Sequence, residues 1–286
     1  GMHEGKISFS PDGKEFLINV STQRGQLLVE PKGVFGKGYT FHAQVKNGFW
    51  TEPKEFLNNS DHRISYPFYS PDGQRLFFNS RGPKSDTSYH PQIGIWYIER
   101  EGEGWGSTHE IAFGDAYQGR PGVYPSIASN GNLYFAVFPD RINGVLHVCK
   151  YENGQYSVPE RLSEVINEVG GNHPYIAPDE SYILYDSDLK DPVASTDIYI
   201  SFRAENGDWK KPRKLGDGVN TGYDERRPHI SFDGKYMFFA SDRINPEMPD
   251  RPMTITQLQR SALVRANSQQ HLYWVDAKVI DEMRMP

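Results

Sequence analysis

The stretch YPFYSPDGQRLFFNS, residues 66–80, decides the fold. It runs from an aromatic-Pro approach through a tight Pro-Asp-Gly turn into aromatic and branched residues that end in a polar pair. An Asp-Gly turn between two runs of strand formers is a hairpin signal. The phrase returns as ISFSPDGKEFLINV from Ile7, YPSIASNGNLYFAV from Tyr124, HPYIAPDESYILYDSD from His173 and RPHISFDGKYMFFASD from Arg227. Successive turns lie 60, 58, 49 and 54 residues apart. Self-similarity on this scale marks a repeat architecture.

Each copy continues to a second Gly-bearing turn, at Asn47-Gly48, Gly104, Asn153-Gly154 and Asn206-Gly207, ahead of Phe49-Trp50, Trp105, Tyr156 and Trp209. A Pro and a Leu follow in three copies, at Pro53 and Leu57, Pro159 and Leu162, and Pro212 and Leu215, whereas the second copy ends Glu110-Ile111-Ala112-Phe113. Four antiparallel strands per unit, repeated in order, define a β-propeller blade. A Greek-key sandwich would not repeat one turn chemistry five times. The expectation is an all-β, five-bladed propeller with mostly four-stranded blades, rather than six blades. It forms a single domain over residues 1–286, with blades at 4–57, 63–113, 120–162, 172–215 and 226–277 and a tail at 278–286. The units exceed the about 40–50 residues of compact propeller repeats, which places the excess in loops.

The fifth unit is one strand short. After its third strand at 271–277, Val279, Ile280 and Met283 have the spacing of a short helix. Gly1-Met2 reads as an expression remnant and a start, so chain upstream is expected to supply the fourth strand and cover the open edge.

Composition narrows the function. With net charge −6 and both signs interspersed, no basic stripe faces a phosphate backbone, which excludes nucleic acid as a partner. No stretch approaches the ~18 consecutive apolar residues of a membrane span, so membrane insertion is not expected. Cys149 is the one cysteine, which excludes an internal disulfide and a multi-thiolate metal site. Its neighbours alternate like a strand, giving a packed thiol. Asp12, Asp72, Asp179 and Asp233 recur once per blade, too far apart around a ring to share a metal, and serve the turns instead.

SPDGKEFLIN, SPDGQRLFF, APDESYILYDSD, SFDGKYMFFASDR and STDIYISFRAENGDWKKPRKLGDGVNT resemble the WD40-like (PD40) repeat of TolB-like β-propellers over nearly the whole chain. Ser129-Asn130-Gly131 departs from that wording in the third copy. The resemblance implies a bacterial, periplasmic or secreted protein. It implies no single activity, because similar repeats occur in TolB-like proteins, peptidase propellers and sugar-acid lyases.

With both hairpin turns on one face, the links between strands two and three gather on the other, at 21–39, 81–94, 186–197 and 242–270. In the last, Ile255, Leu258, Ala262 and Leu263 have helical spacing. Strand ends on this loop-bearing face surround the channel mouth. They bring Arg63, Arg81, Arg120, Arg141, His173, Asp186, Asp188, Asp224, Arg227, Asp242 and Arg243 together as candidate ligand-binding residues, among His62, Asp140, Glu225 and Arg226. Arg suits paired bonding to a carboxylate, while a ring of mutually neutralising ion pairs is the alternative.

No catalytic set is assigned, since no phosphate loop, zinc-binding His pair or nucleophile elbow is present. His173 with Asp224 and Asp242 could make a metal or base site, and Asp186 with Asp224 a glycosidic acid–base pair; neither spacing decides, and no metal or cofactor is expected. The leading reading is a non-enzymatic, monomeric binding module for a polar small molecule, glycan or protein. The alternatives are a lyase or hydrolase on acidic sugars, and a structural scaffold.

Overall fold

The computed structural model describes residues 2–22, 38–56, 64–82, 93–113, 122–139, 144–188, 195–243 and 270–284. Five antiparallel sheets follow one another in chain order as the blades of a propeller. Blade one comprises Met2–Phe9, Glu15–Thr22 and Gly38–Lys46, with Phe49–Trp50 and Lys54–Glu55 both paired to its third strand. Blade two comprises Ser65–Tyr69, Arg75–Ser80, Gly94–Glu101 and Gly104–Glu110. Blade three has Val123–Ile127, Leu133–Val137, Val145–Cys149 and Glu160–Arg161, and blade four has Asn172–Ile176, Tyr182–Ser187, Asp197–Phe202 and Arg213–Lys214. Blade five has three strands among the described residues, Glu225–Ile230, Tyr236–Ser241 and His271–Asp276.

The repeated turns work as their chemistry requires. Asp12, Asp72, Asn130, Asp179 and Asp233 each accept, through the side chain, the backbone N–H two residues on, at 3.0–3.1 Å. Gly13, Gly73, Gly131 and Gly234 take the left-handed φ of 68°, 70°, 87° and 72°, which costs glycine no side-chain clash. Blade four puts Glu180 there at φ 58°; its carboxylate accepts from Tyr134 Oη at 2.6 Å and Asn132 Nδ2 at 2.9 Å, contacts that offset the strain. In the second hairpin of blade two the turn glycine is Gly102, at φ 58°, whereas Gly104 already opens the fourth strand.

In blades three and four the Pro-Leu signal marks how the fourth strand ends, while Leu57 of blade one lies outside the described residues. Phe56, Ile111, Leu162 and Leu215 donate their N–H to the third-strand carbonyls of Thr40, Ile95, Leu146 and Ile198 at 2.7–3.0 Å. Leu162 and Leu215 are buried there, so two paired residues suffice to anchor the edge. The tail forms the helix Lys278–Glu282, as its spacing predicts, with Ile280 buried in the core. Arg284 then lies over the Tyr182 and Phe202 rings, 6.0 and 5.1 Å from their centroids, tying the tail to blade four. Blade one meets blade five through Phe9, packed on Phe232 and Phe238 at 6.4 and 5.1 Å, and through Glu4 N–H, which donates to Gln270 O at 2.9 Å. Cys149 is a fully buried, unpaired strand thiol. No helix among the described residues is long and apolar enough to cross a membrane. The helical spacing at Ile255, Leu258, Ala262 and Leu263 lies outside the described residues.

Candidate functional site

Each innermost strand breaks register near its start, between Glu4 and Ile7, Ser65 and Phe68, Val123 and Ser126, Asn172 and Tyr175, and Arg226 and His229. Such an extra residue is a β-bulge, which re-aims a side chain. In four blades the residue at the break holds a positive φ: 53° at Tyr66, 64° at Tyr124, 45° at His173 and 60° at Arg227. Lys6 holds the matching place in blade one, since all five stand six residues before the turn Asp or Asn.

Side chains from non-adjacent blades meet only at the axis, and these do. Tyr66 lies 4.5 Å from Tyr124 and 5.2 Å from His173, ring centre to ring centre, and Tyr124 lies 4.0 Å from His173. The Arg227 guanidinium stands 5.7 Å from the Tyr66 ring and donates to Gln270 Oε1. Lys6 Nζ donates to Pro228 O at 3.1 Å and sits 5.6 Å from the Phe68 ring.

Two residues further along each strand a second layer fills the axis. Phe68, Tyr175 and His229 pack together at 5.2–6.2 Å, and the small Ser8 and Ser126 take the other two places, both fully buried. Alternating small and large side chains fits a tapering centre. The Lys6, Tyr66, Tyr124, His173 and Arg227 ring is therefore the floor of the channel mouth, with the axis behind it filled.

Asp186, fully buried, organises that floor. It accepts from His173 Nδ1 at 2.9 and 3.1 Å and from the Arg227 backbone N–H at 2.9 Å. A carboxylate only accepts, so Nδ1 carries the imidazole proton; His173 Nε2, also buried, has no hydrogen-bond partner among the described residues. Burial, with Arg227 and Arg226 nearby, outweighs the pull of Asp186 and holds His173 down at about 4. The imidazole is neutral at pH 7. Asp186 itself stays below the ordinary carboxylate range, burial being outweighed by His173, Arg226 and the Arg227 N–H. Burial pushes the Tyr124 hydroxyl well above its usual range, leaving it a donor.

The other candidates take different places. Asp224 accepts from Thr196 N–H at 2.8 Å and from Arg226 at 3.0 Å, while its own N–H donates to Asp242 at 2.8 Å. Asp224 and Asp242 thus adjoin each other, and His173 pairs with Asp186 instead of either. Arg243 is a strut in the wall: it donates to Val219 O at 2.6 Å and buried Glu225 at 3.2 Å, with its guanidinium against Phe239 and Tyr273. Asp188 is exposed just past Tyr182–Ser187, and Arg81 follows Arg75–Ser80. Arg63, Arg120 and Arg141, with His62 and Asp140, lie outside the described residues. Among the described residues no cluster of three or more His, Cys, Asp or Glu could hold a metal.

Lys6, Tyr66 and Tyr124 were not among the sequence candidates. The signal was present, because in blades two to five the axial residue is the one before the strand-opening Pro.

No family model and no curated protein sequence matches the chain. Solved structures do share its fold. A putative TolB from Agrobacterium tumefaciens is 15% identical with TM-score 0.53, the match covering 96% of this chain and 77% of that one. An alpha-L-arabinofuranosidase from Lactobacillus brevis is 11% identical with TM-score 0.56, covering 96% of this chain and 90% of that one. The fold is a TolB-like β-propeller, one that enzymes also use, and at these identities the likeness defines the fold alone.

Proposed function

We propose that this chain is a non-enzymatic, extracytoplasmic binding propeller, acting as a monomer, that receives a polar small molecule, glycan or protein segment at the loop-bearing mouth of its axis. The strained ring carries this reading. Four blades hold a non-glycine residue at positive φ, at about 1–3 kcal/mol each, and such strain gathers at functional sites. Filling the axis would need only apolar side chains; this ring instead presents two phenols, an imidazole and a guanidinium. By contrast, in the wall Glu225 pairs with Arg243 and Asp224 with Arg226, at 3.2 and 3.0 Å. The extracytoplasmic location follows the repeat resemblance.

Thermal-shift screening of neutral and acidic oligosaccharides and peptides tests the reading on wild type, Tyr66→Ala, Arg227→Ala and, on the turn-bearing face, Arg75→Ala. Ligand at 100 times its Kd stabilises the folded state by about 2.7 kcal/mol, about 4–5 °C for a chain of this size. Hits should vanish in the two mouth variants and survive in Arg75→Ala. The opposite pattern would place the site elsewhere.

The neutral His173 held by Asp186 favours one alternative, a lyase or glycoside hydrolase on acidic sugars, because an oriented imidazole is a competent base. Cleavage of an acidic oligosaccharide, lost in His173→Gln with folding intact, would replace the binding reading by this one.

A further inference from the structure

The axial ring is unequal in charge. Lys6 and Arg227 bring two positive groups, and Asp186 is the carboxylate whose field both feel. Arg226, close by, is already paired with Asp224. Lys6 is only 4% exposed, and of the three donors an ammonium carries the bond to Pro228 O uses one. We infer, resting on the axial site proposed above, that its ligand carries a carboxylate received by Arg227 and the tyrosine hydroxyls, and that Lys6 takes up a proton as this ligand binds.

The groups facing Lys6 come from two blades: Asp186 from the second strand of blade four, and Arg227 and His229 from the first strand of blade five. Burial lowers the Lys6 amine, Asp186 raises it and Arg227 lowers it, leaving it at about 7. Near neutral pH the amine is therefore divided between its two forms. A second negative charge at the axis adds attraction for the ammonium and draws a proton from solvent. A neutral ligand of the same shape adds none. His229 is held well below its ordinary range by burial and by Lys6, so it stays neutral near pH 7 and adds no positive charge against the ammonium. The planar fork of Arg227 can take both carboxylate oxygens at once, and a singly charged carboxylate costs less to strip of water at this enclosed floor than a doubly charged sulfate.

Isothermal titration calorimetry with glucuronate, glucose and sulfate at pH 7, in buffers of high and low ionisation enthalpy, reads both halves of the inference. Glucuronate should bind with uptake of about half a proton, because a group titrating near 7 is about half protonated there. Uptake should fall toward zero at pH 5.5 while binding persists. Lys6→Arg, permanently charged, should bind without uptake, and Arg227→Met should lose at least tenfold in affinity for glucuronate. Equal affinity for glucose, or tighter binding of sulfate, overturns the carboxylate. Glucuronate binding whose heat is independent of buffer overturns the role of Lys6 and leaves the axial site standing. If none of the three probes gives an Arg227-dependent heat, the inference fails; whether the axial reading fails too is decided separately by the thermal-shift hits in Tyr66→Ala.

Discussion

Acid should destabilise this propeller before its carboxylates titrate, and His173 should supply a measurable part of the loss. The folded imidazole titrates at about 4 against 6.5 for an unperturbed histidine. Between those values the unfolded chain binds a proton that the folded chain refuses, so stability is complete above 6.5 and falls as pH drops toward 4. From pH 7 to 4.5 the loss is about 2 kcal/mol at 1.36 kcal/mol per pH unit. Asp186, whose carboxyl is held down, stays ionised across this window. Lys6 titrates above it at about 7, and His229 adds its own loss. The variant His173→Gln keeps a donor for Asp186 and removes the titrating ring, leaving the His229 contribution in place. Urea unfolding of both proteins at pH 7 and 4.5 isolates the effect. The wild type should lose about 2 kcal/mol more than the variant; parallel losses would refute the argument that burial outweighs Asp186 at this histidine.

Glu225 accepts from Thr221 N–H and Oγ1, Ser241 Oγ and Arg243 at 2.7–3.2 Å, so Glu225→Ala should cost about 1–3 kcal/mol by leaving the Thr221 and Ser241 donors without their acceptor and half-buried Arg243 without its carboxylate, and a smaller loss in chemical denaturation would argue that water replaces the carboxylate. Gly13 and Gly234 share a turn position at φ 68° and 72°, but a Cβ on Gly13 would come within 2.3 Å of the Phe232 ring while one on Gly234 meets nothing within 4 Å. Gly234→Ala should therefore cost about 1 kcal/mol of backbone strain, and Gly13→Ala should cost clearly more; equal losses would deny tight packing where blade five meets blade one. Burial pushes the Cys149 thiol up to about 12, so a disulfide reagent at pH 8 should label it only as fast as the protein opens, and immediate labelling would contradict its burial.

The architecture was legible because it rests on local chemistry repeated five times. Asp72 and Gly73 make a turn wherever they stand, and Leu162 and Leu215 tuck in wherever a short fourth strand follows a third. The site was legible only in part. His173, Asp186 and Arg227 stood among the candidates because strand ends near the axis attract charge. Their partners Tyr66 and Tyr124 did not, since an aromatic residue before a strand reads equally as core. Asp224 and Arg243 share the residue types and the face of the axial group, yet each has its own partners, Arg226 two residues along and Thr196 and Asp242 28 and 18 residues away for the first, Val219 and Glu225 24 and 18 residues away for the second. No spacing rule separates a closed ion pair from an open one.

Arg226 and Arg227 show what decides between the two. They are neighbours on one strand, with the same side chain and nearly the same surroundings. Arg226 precedes the bulge in ordinary register opposite Ala240, which brings its guanidinium to Asp224 at 3.0 Å. Arg227 stands in the bulge at φ 60°, with its N–H drawn to Asp186 of the preceding blade at 2.9 Å. That bond turns the residue, and the side chain is delivered to the axis. Asn79 does the same for Tyr124, accepting its N–H at 2.8 Å, so in these two blades a polar side chain ending the second strand of the preceding blade fastens the axial residue. Asn19, Asn79 and Asp186 hold the equivalent strand-two position in blades one, two and four, against Ala136 and Ala240 in blades three and five. His173 nonetheless takes φ 45° behind Ala136, which has no polar side chain to offer, so the bulge delivers the axial residues and the bond from the preceding blade fastens two of them.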